Sequence, residues 1–312
     1  MELTMLGTAA GRPIEGRNVT AAALAMPAQR GTYWLFDCGE GTQHQLLRAG
    51  IRLGKLERVF ATHLHGDHIF GLPGLLGSRS SMGCEEPLAV YGPRGIRHWL
   101  GTTFDVTGTH LHYELEIHEI EDDGGVVYED EQFTVTAEPL SHRIACYGYR
   151  IAERPRPGRL DAAKLAALGV PPGPLYARLK AGEDAELPDG RVIRASEVTG
   201  PPIPGRVIAI LGDTTPCEAA VRLAEGADLV VHEATFEAGL ADKAAEYGHS
   251  TTAEAARTAR DAGAARLLLT HFSGRYRDED LSRLEAEARE IFPSSAAARD
   301  FLTVHLPHKR RS

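Results

Sequence analysis

Short apolar runs that stop abruptly at polar or turn residues recur along this chain. They are Tyr33 to Phe36 before Asp37, Val59 to Ala61 before Thr62 and His63, Val207 to Leu211 before Asp213, and Leu267 to Leu269 before Thr270 and His271. Runs of this length and abrupt ending read as buried strands. Between them lie stretches with helical patterning, Glu40 to Arg48, Pro216 to Glu225 and Thr252 to Ala262, so strands alternate with helices and the pattern predicts an α/β fold. Thr251 and Glu254 have the spacing of a capping box and mark the start of the last of these helices. From Leu111 to Thr136 apolar and polar residues alternate, as in His112-Tyr113-Glu114-Leu115-Glu116-Ile117. That alternation predicts half-exposed antiparallel strands in one layer.

Residues 153–205 break the pattern. They hold nine of the eighteen prolines, which excludes a central strand or an uninterrupted long helix. A helix-like piece from Asp161 to Leu168 and a turn at Asp189-Gly190 fit a protruding arm with structure of its own, while composition alone also allows a plain interdomain linker.

Composition changes this picture little. With 312 residues, 43% apolar and 25% charged, the chain can bury a sizeable core and is neither disordered nor fibrous. No apolar run approaches the ~18 residues of a membrane span, and Met1-Glu2-Leu3 opens a strand-like segment, so a cytoplasmic protein without membrane association is expected. Four widely spaced cysteines without a C-x-x-C pair fit reduced structural thiols. The net charge of -9 excludes nucleic-acid binding through the overall field and makes local patches decisive.

The chemistry concentrates in His63-Leu64-His65-Gly66-Asp67-His68, three imidazoles and a carboxylate within six residues just after a strand. In an extended start His63 and His65 point the same way, and Gly66 is expected to let the chain reverse so that Asp67 and His68 face the same space. Neutral imidazoles with carboxylates suit zinc and related divalent ions. One such loop rarely completes two metal sites. His142, Asp213 and His271 each follow a strand-like run, where ligands gather in open α/β sheets.

H-x-H-x-D-H followed by His, Asp and His in that order resembles the metallo-β-lactamase superfamily. The resemblance implies an αβ/βα four-layer sandwich in which His63, His65, His142 and Asp213 hold one zinc and Asp67, His68, Asp213 and His271 the other, with Asp213 bridging. Four further segments are similar to the ribonuclease Z family. Leu6-Gly7-Thr8 with Arg17-Asn18 matches its opening strand and P-x-K-R-N loop, although Pro13 to Asn18 lacks the lysine and differs in spacing. Gly71-Leu72-Pro73-Gly74-Leu75-Leu76 with Ser78-Arg79-Ser80 matches the helix after the ligands. His232-Glu233-Ala234-Thr235 and His249-Ser250-Thr251 match two family motifs, in which Glu233 could orient His249. Gly169 to Leu175 and Leu179 to Gly182 resemble the family's glycine-proline arm. Independently of the resemblance, residues 151–182 carry six basic side chains (Arg154, Arg156, Arg159, Lys164, Arg178, Lys180) against two acidic ones (Glu153, Asp161), a patch suited to phosphates.

The family resemblance spans essentially the whole chain and implies one metallo-β-lactamase domain, 1–312, with a flexible tRNA-binding arm inserted at about 153–205. It implies two Zn2+ per subunit, replaceable by Mn2+ or Co2+, and removal of the 3′ trailer from precursor tRNA, with a 3′-hydroxyl left on the tRNA and a 5′-phosphate on the trailer. Asp67, Glu233 and His249 would be catalytic; Arg17, Asn18, Gly173, Pro174, Arg178 and Lys180 would contact RNA. A homodimer is implied, in which one subunit's arm presents tRNA to the other's site. The competing readings are a phosphodiesterase or arylsulfatase-like hydrolase of small molecules, which would need no arm, and an RNA-binding relative without catalysis, against which the intact ligand set speaks.

Overall fold

The computed structural model describes residues 1–308. In chain order the strands of its two main sheets are β1 (Glu2–Gly7), β2 (Ala21–Ala25), β3 (Tyr33–Phe36), β4 (Leu56–Phe60), β5 (Leu88–Pro93), β6 (Leu115–Ile120), β7 (Gly125–Glu129), β8 (Phe133–Pro139), β9 (Tyr147–Glu153), β10 (Val207–Ile210), β11 (Leu229–Glu233), β12 (Leu267–Thr270), β13 (Ser295–Ala297) and β14 (Thr303–His305). The first sheet runs β14-β1-β2-β3-β4-β5-β6 and the second β13-β12-β11-β10-β9-β8-β7.

Side-chain alternation explains the layering. In β3 all four residues are buried, Trp34 and Phe36 in a core with residues of the second sheet and Tyr33 and Leu35 in a core with the outer helices. A strand apolar on both faces has no solvent side, and it can only sit inside a sandwich. The inner core joins Leu3, Trp34 and Phe60 from the first sheet to Phe133, Tyr149 and Leu268 from the second. One outer core packs Leu72, Leu75 and Leu100 on the first sheet, and the other packs Ala255, Ala259 and Leu284 on the second, giving the expected αβ/βα order. The helix Thr252–Asp261 begins as expected: Thr251 Oγ1 accepts the Glu254 amide at 3.2 Å and Glu254 accepts the Thr251 amide at 2.8 Å.

Strand direction departs from expectation. The alternating segment around Leu115 forms β6, which pairs parallel to β5 at the sheet edge, with Leu88 opposite Leu115. Alternation reports that one face is exposed, and an edge strand of a parallel sheet meets that condition as well as an antiparallel one. Only β7 and β8 of this region pair antiparallel. The antiparallel part of the first sheet instead comes from β14, β1, β2 and β3. Its member β2, Ala-Ala-Ala-Leu-Ala, is a strand despite a helix-favouring composition, because burial between neighbours overrides local propensity.

Residues Ala152–Arg206 form a compact unit distinct from the sandwich. Its helices Ala162–Ala167, Pro174–Lys180 and Ala195–Val198 and a hairpin of Ala185–Glu186 with Val192–Ile193 enclose Leu165, Val170, Leu179, Leu187 and Val198. The segment thus has a core of its own. Its two ends are tied together: Arg206 grips the Glu153 carboxylate at 2.7 Å with two nitrogens, and the Glu153 amide donates to the Arg206 carbonyl at 2.8 Å. Over the whole unit nine basic side chains meet seven acidic ones, so the basic bias is confined to its first half. No helix among the described residues is long and apolar enough to cross a membrane.

Candidate metal centre

Two sets of donors converge where the strands end. The first comprises His63, His65, His142 and Asp213, and the second Asp67, His68 and His271; the atoms of each set lie within 4.8 Å of one another, and His249 lies within the same distance of Asp213 and His271, an overlapping third group. In the first set His63 Nε2 and His65 Nδ1 are 2.9 Å apart, His142 Nε2 is 3.3 Å from His65 Nδ1, and Asp213 Oδ2 is 3.6 Å from His63 Nε2. In the second, His271 Nε2 lies 3.2 Å from His68 Nε2 and 3.3 Å from Asp67 Oδ2. Asp213 serves both, since its Oδ2 is also 3.5 Å from His68 Nε2. Asp213 is buried, and Asp67 is the carboxylate of the pair with an open side, 12% exposed.

The backbone explains how six loop residues reach one point. As expected, Asp67 and His68 after Gly66 face the same space as His63 and His65, and Gly66 achieves the turn without a left-handed conformation. It opens a helical turn, Gly66–Ile69, and its missing Cβ leaves room for the Phe70 ring, three carbons of which lie 2.3–2.7 Å from where a Cβ would be. Gly39 plays the matching part opposite, where a Cβ would strike the Asp67 carbonyl oxygen at 2.3 Å. The loop carrying Asp67 therefore presses directly on the backbone that follows β3. His271 and Asp37 hold φ of 58° and 57°, left-handed conformations that cost a non-glycine residue free energy and persist where the surroundings enforce them.

For four of the five histidines the nitrogen facing away from the cluster has a partner. His68 Nδ1 donates to Asp37 Oδ2 at 2.8 Å and His142 Nδ1 to the Gly248 carbonyl at 2.7 Å. His63 Nδ1 lies 3.0 Å from Thr62 Oγ1, whose hydroxyl donates to Asp37 at 2.9 Å; His271 Nδ1 lies 2.9 Å from Thr235 Oγ1, whose hydroxyl donates to Glu233 at 2.8 Å. A hydroxyl that donates to a carboxylate accepts from the imidazole, so these rings carry their proton on Nδ1 and turn an Nε2 lone pair inward. That is the arrangement of metal-ligating histidines, and it fits the donors to zinc.

Charge agrees. Burial lowers the pKa of His63, His65 and His142, keeping them neutral as ligands must be. Burial opposes protonation of His68 too, yet Asp213 and Asp37 on its two sides raise its pKa well above the usual value. A cation at the cluster would replace that proton. Asp67 stays ionised: burial works against it, but His271, whose Nε2 lies 3.3 Å from its carboxylate, and His68 hold its pKa below the usual carboxylate range.

Beside the cluster, Glu233 at the end of β11 accepts from His249 Nδ1 at 3.0 Å and from the amides of Thr214, Thr235 and Ser250 at 3.0–3.1 Å. Burial disfavours a charged His249, yet the hydrogen bond and charge of Glu233 push its pKa up to about 9. The His249 ring centroid is 5.2 Å from that of His142 and 5.4 Å from that of His271. His232 faces away, its Nδ1 donating to the Glu233 carbonyl at 2.7 Å.

The expected RNA contacts divide. Arg17 does not present a phosphate-binding surface: it is 2% exposed, bonded to the Tyr276 carbonyl and paired with Asp278 at 3.4 Å. The altered loop turns this arginine inward as a brace. Asn18 donates its amide to Asp300 at 2.7 Å and its side chain to the Glu40 carbonyl at 2.8 Å. Gly173, Pro174, Arg178 and Lys180 are exposed in the separate unit, where Gly173 and Pro174 open the helix Pro174–Lys180 and Arg178 pairs with Glu183 at 3.3 Å. Asp37, Thr62 and Thr235 were not among the expected site residues. Asp37 ends an apolar run as Asp213 does, which was the signal available for it.

Comparison with known proteins is consistent along the chain. A family model described as a β-lactamase superfamily domain matches residues 32–159 and 178–272. Ribonuclease BN of Cronobacter sakazakii is 56% identical over 97% of this chain and 99% of its own length, and ribonuclease Z of Anoxybacillus flavithermus is 54% identical over 99% and 98%. The crystal structure of human tRNase Z, short form, superposes with a TM-score of 0.73 at 32% identity, covering 98% of this chain and all of that one.

Proposed function

The chain belongs to the ribonuclease Z family of the metallo-β-lactamase superfamily and is an endoribonuclease of tRNA 3′ processing; we propose that it cuts precursor tRNA with two zinc ions, leaving a 3′-hydroxyl on the tRNA and a 5′-phosphate on the trailer. The observation that carries this reading is the meeting of two donor sets at Asp213 with the Glu233–His249 pair alongside. His63, His65, His142 and Asp213 would hold one zinc, and Asp67, His68, Asp213 and His271 the other. Bound there, the ions would lower the pKa of the attacking water and neutralise charge on the phosphoryl oxygens. Mn2+ or Co2+ would satisfy the same donors.

The chain's own residues supply the rest. Asp67, the donor carboxylate with an open side, accepts the proton of the attacking water. Glu233 fixes His249 through Nδ1, which leaves Nε2 free to contact the phosphate or to protonate the departing 3′ oxygen. The unit at 152–206 acts as the tRNA-binding arm, with Gly173, Pro174, Arg178 and Lys180 at the RNA and Asn18 fixing the opening loop. The working enzyme is then a cytoplasmic homodimer.

The test is cleavage of a 3′-extended precursor tRNA by zinc-loaded protein, with both new ends mapped. Cleavage that leaves a 3′-hydroxyl on the tRNA and a 5′-phosphate on the trailer is expected, and Asp67→Ala should abolish it; full activity of that variant would overturn the assignment. Removing residues 155–200 should abolish cleavage of structured precursor while sparing bis(p-nitrophenyl) phosphate, since a binding arm serves affinity and orientation. Equal loss on both substrates would exclude such an arm.

A further inference from the structure

An apolar shelf borders the metal loop. Phe70, two residues past His68, is 61% exposed, while Ile69 and Leu72 on either side of it are buried. Its ring is seated on the loop itself, because three of its carbons lie 2.3–2.7 Å from where a Gly66 Cβ would be. The Trp99 ring stands beside it, with centroids 6.4 Å apart and planes 29° from parallel. Trp99 and Leu64 are half-buried and pack on the outer core of the first sheet, so the shelf has a firm base. Single exposed apolar side chains are ordinary on protein surfaces. This one is distinguished by its near-parallel partner and by its seat on the backbone between two ligands.

We propose that Phe70 and Trp99 form a stacking shelf for nucleobases of the single-stranded trailer, just downstream of the scissile phosphate. The inference rests on the ribonuclease Z reading. An endonuclease holds RNA on both sides of the bond it cuts. With His249 taken in the second of its two proposed roles, as proton donor to the departing 3′ oxygen, the tRNA-side ribose lies toward the second half of the sandwich, from which His249 comes. The strand beyond the phosphate then leaves over the loop of the first half, where Phe70 offers a flat apolar face. Stacking accepts every base and adds affinity without reading sequence, which suits a trailer of arbitrary composition. Because no phosphate is neutralised on the shelf, its contribution should not depend on salt.

The experiment compares two precursors that differ only in trailer length, one nucleotide against about six. In Phe70→Ala the ratio of kcat/KM for the long trailer to that for the short one should fall about tenfold, or about 1.4 kcal/mol. Phe70→Tyr should restore the ratio, and the fall should persist at raised salt. A ratio unchanged in Phe70→Ala, whatever its absolute activity, would overturn the shelf. In the unaltered enzyme, a trailer carrying 5-iodouridine beyond the first position should photocrosslink to the peptide containing Phe70 or Trp99; crosslinks confined to other peptides would equally overturn it. If the unaltered enzyme cuts neither precursor, the ribonuclease Z reading itself fails, which is a distinct result.

Discussion

The two halves of the sandwich build one site by opposite means. The first half concentrates four donors in His63 to His68, one loop after β4, and stiffens them with Asp37 from the end of β3. The second half spreads His142, Asp213, Glu233, His249 and His271 over 130 residues, gathering four of them at strand ends and His249 from the connection between the helices Ala241–Tyr247 and Thr252–Asp261. What aligns these is register. Glu233 sits opposite Thr270 in the parallel pair β11–β12, and Ile210 opposite Val231 in β10–β11. A slip of one residue would displace His271 by about 3.3 Å and turn it to the other face. Each half also carries one buried strand-end carboxylate, Asp37 or Glu233, that binds a threonine and, directly or through that threonine, two histidines. The first half is secured by local geometry and the second by the packing of an entire sheet.

Three measurements break or sharpen that contrast. The largest effect belongs to the donor both sets share. Asp213→Ala should lower the metal content below that of any single-set variant such as His65→Ala, and should reduce phosphodiester cleavage roughly a thousandfold or more. Equal metal loss in the two variants would show that Asp213 is not shared. Next comes Asp37→Ala, which leaves every donor in place but frees His68 Nδ1 and Thr62. Titration with zinc should show affinity weakened about 10–100-fold, and unchanged affinity would mean that the loop organises itself.

The smallest effect concerns the clamp between the halves. Arg30 joins Glu57 of β4 at 2.8 Å to Asp130, in the loop after β7, at 2.6 Å. Burial opposes ionisation of Glu57, but hydrogen bonds from Arg30 and Thr32 and the charge of Arg58 push its pKa down to about 2 from an ordinary 4.5. Its folded pKa is depressed, so the unfolded chain takes up the proton first. The stabilisation is present above pH 4.5 and is lost as pH falls toward 2. Urea midpoints between pH 5 and 3 should fall less steeply in Glu57→Gln, the clamp being worth about 1–2 kcal/mol after solvent screening. Parallel slopes in both proteins would remove Glu57 from the account.

Legibility in the sequence followed the same division. The six-residue loop could be read outright, since its chemistry and spacing are local. His142, Asp213 and His271 were legible only as residues at strand ends, and their convergence needed the order of strands, which no single segment carries. Asp37 escaped because a carboxylate after an apolar run has no local mark that separates a ligand's support from a cap. Arg17 was misjudged for a related reason: burial of an arginine depends on Tyr276, Phe272 and Asp278, more than 250 residues away. The direction of β6 failed because alternation records exposure and is silent on the partner strand.

The pairing of the first strand with the last has a consequence for biosynthesis. Glu2 lies opposite His305 and Thr4 opposite Thr303, and the Leu302 carbonyl accepts the Met5 amide at 2.9 Å. A chain emerging from the ribosome amino end first therefore exposes one edge of β1 until Thr303–His305 have been made. The last donor, His271, also appears late. A nascent or prematurely terminated chain would combine an open sheet edge, a surface prone to association, with an incomplete set of ligands.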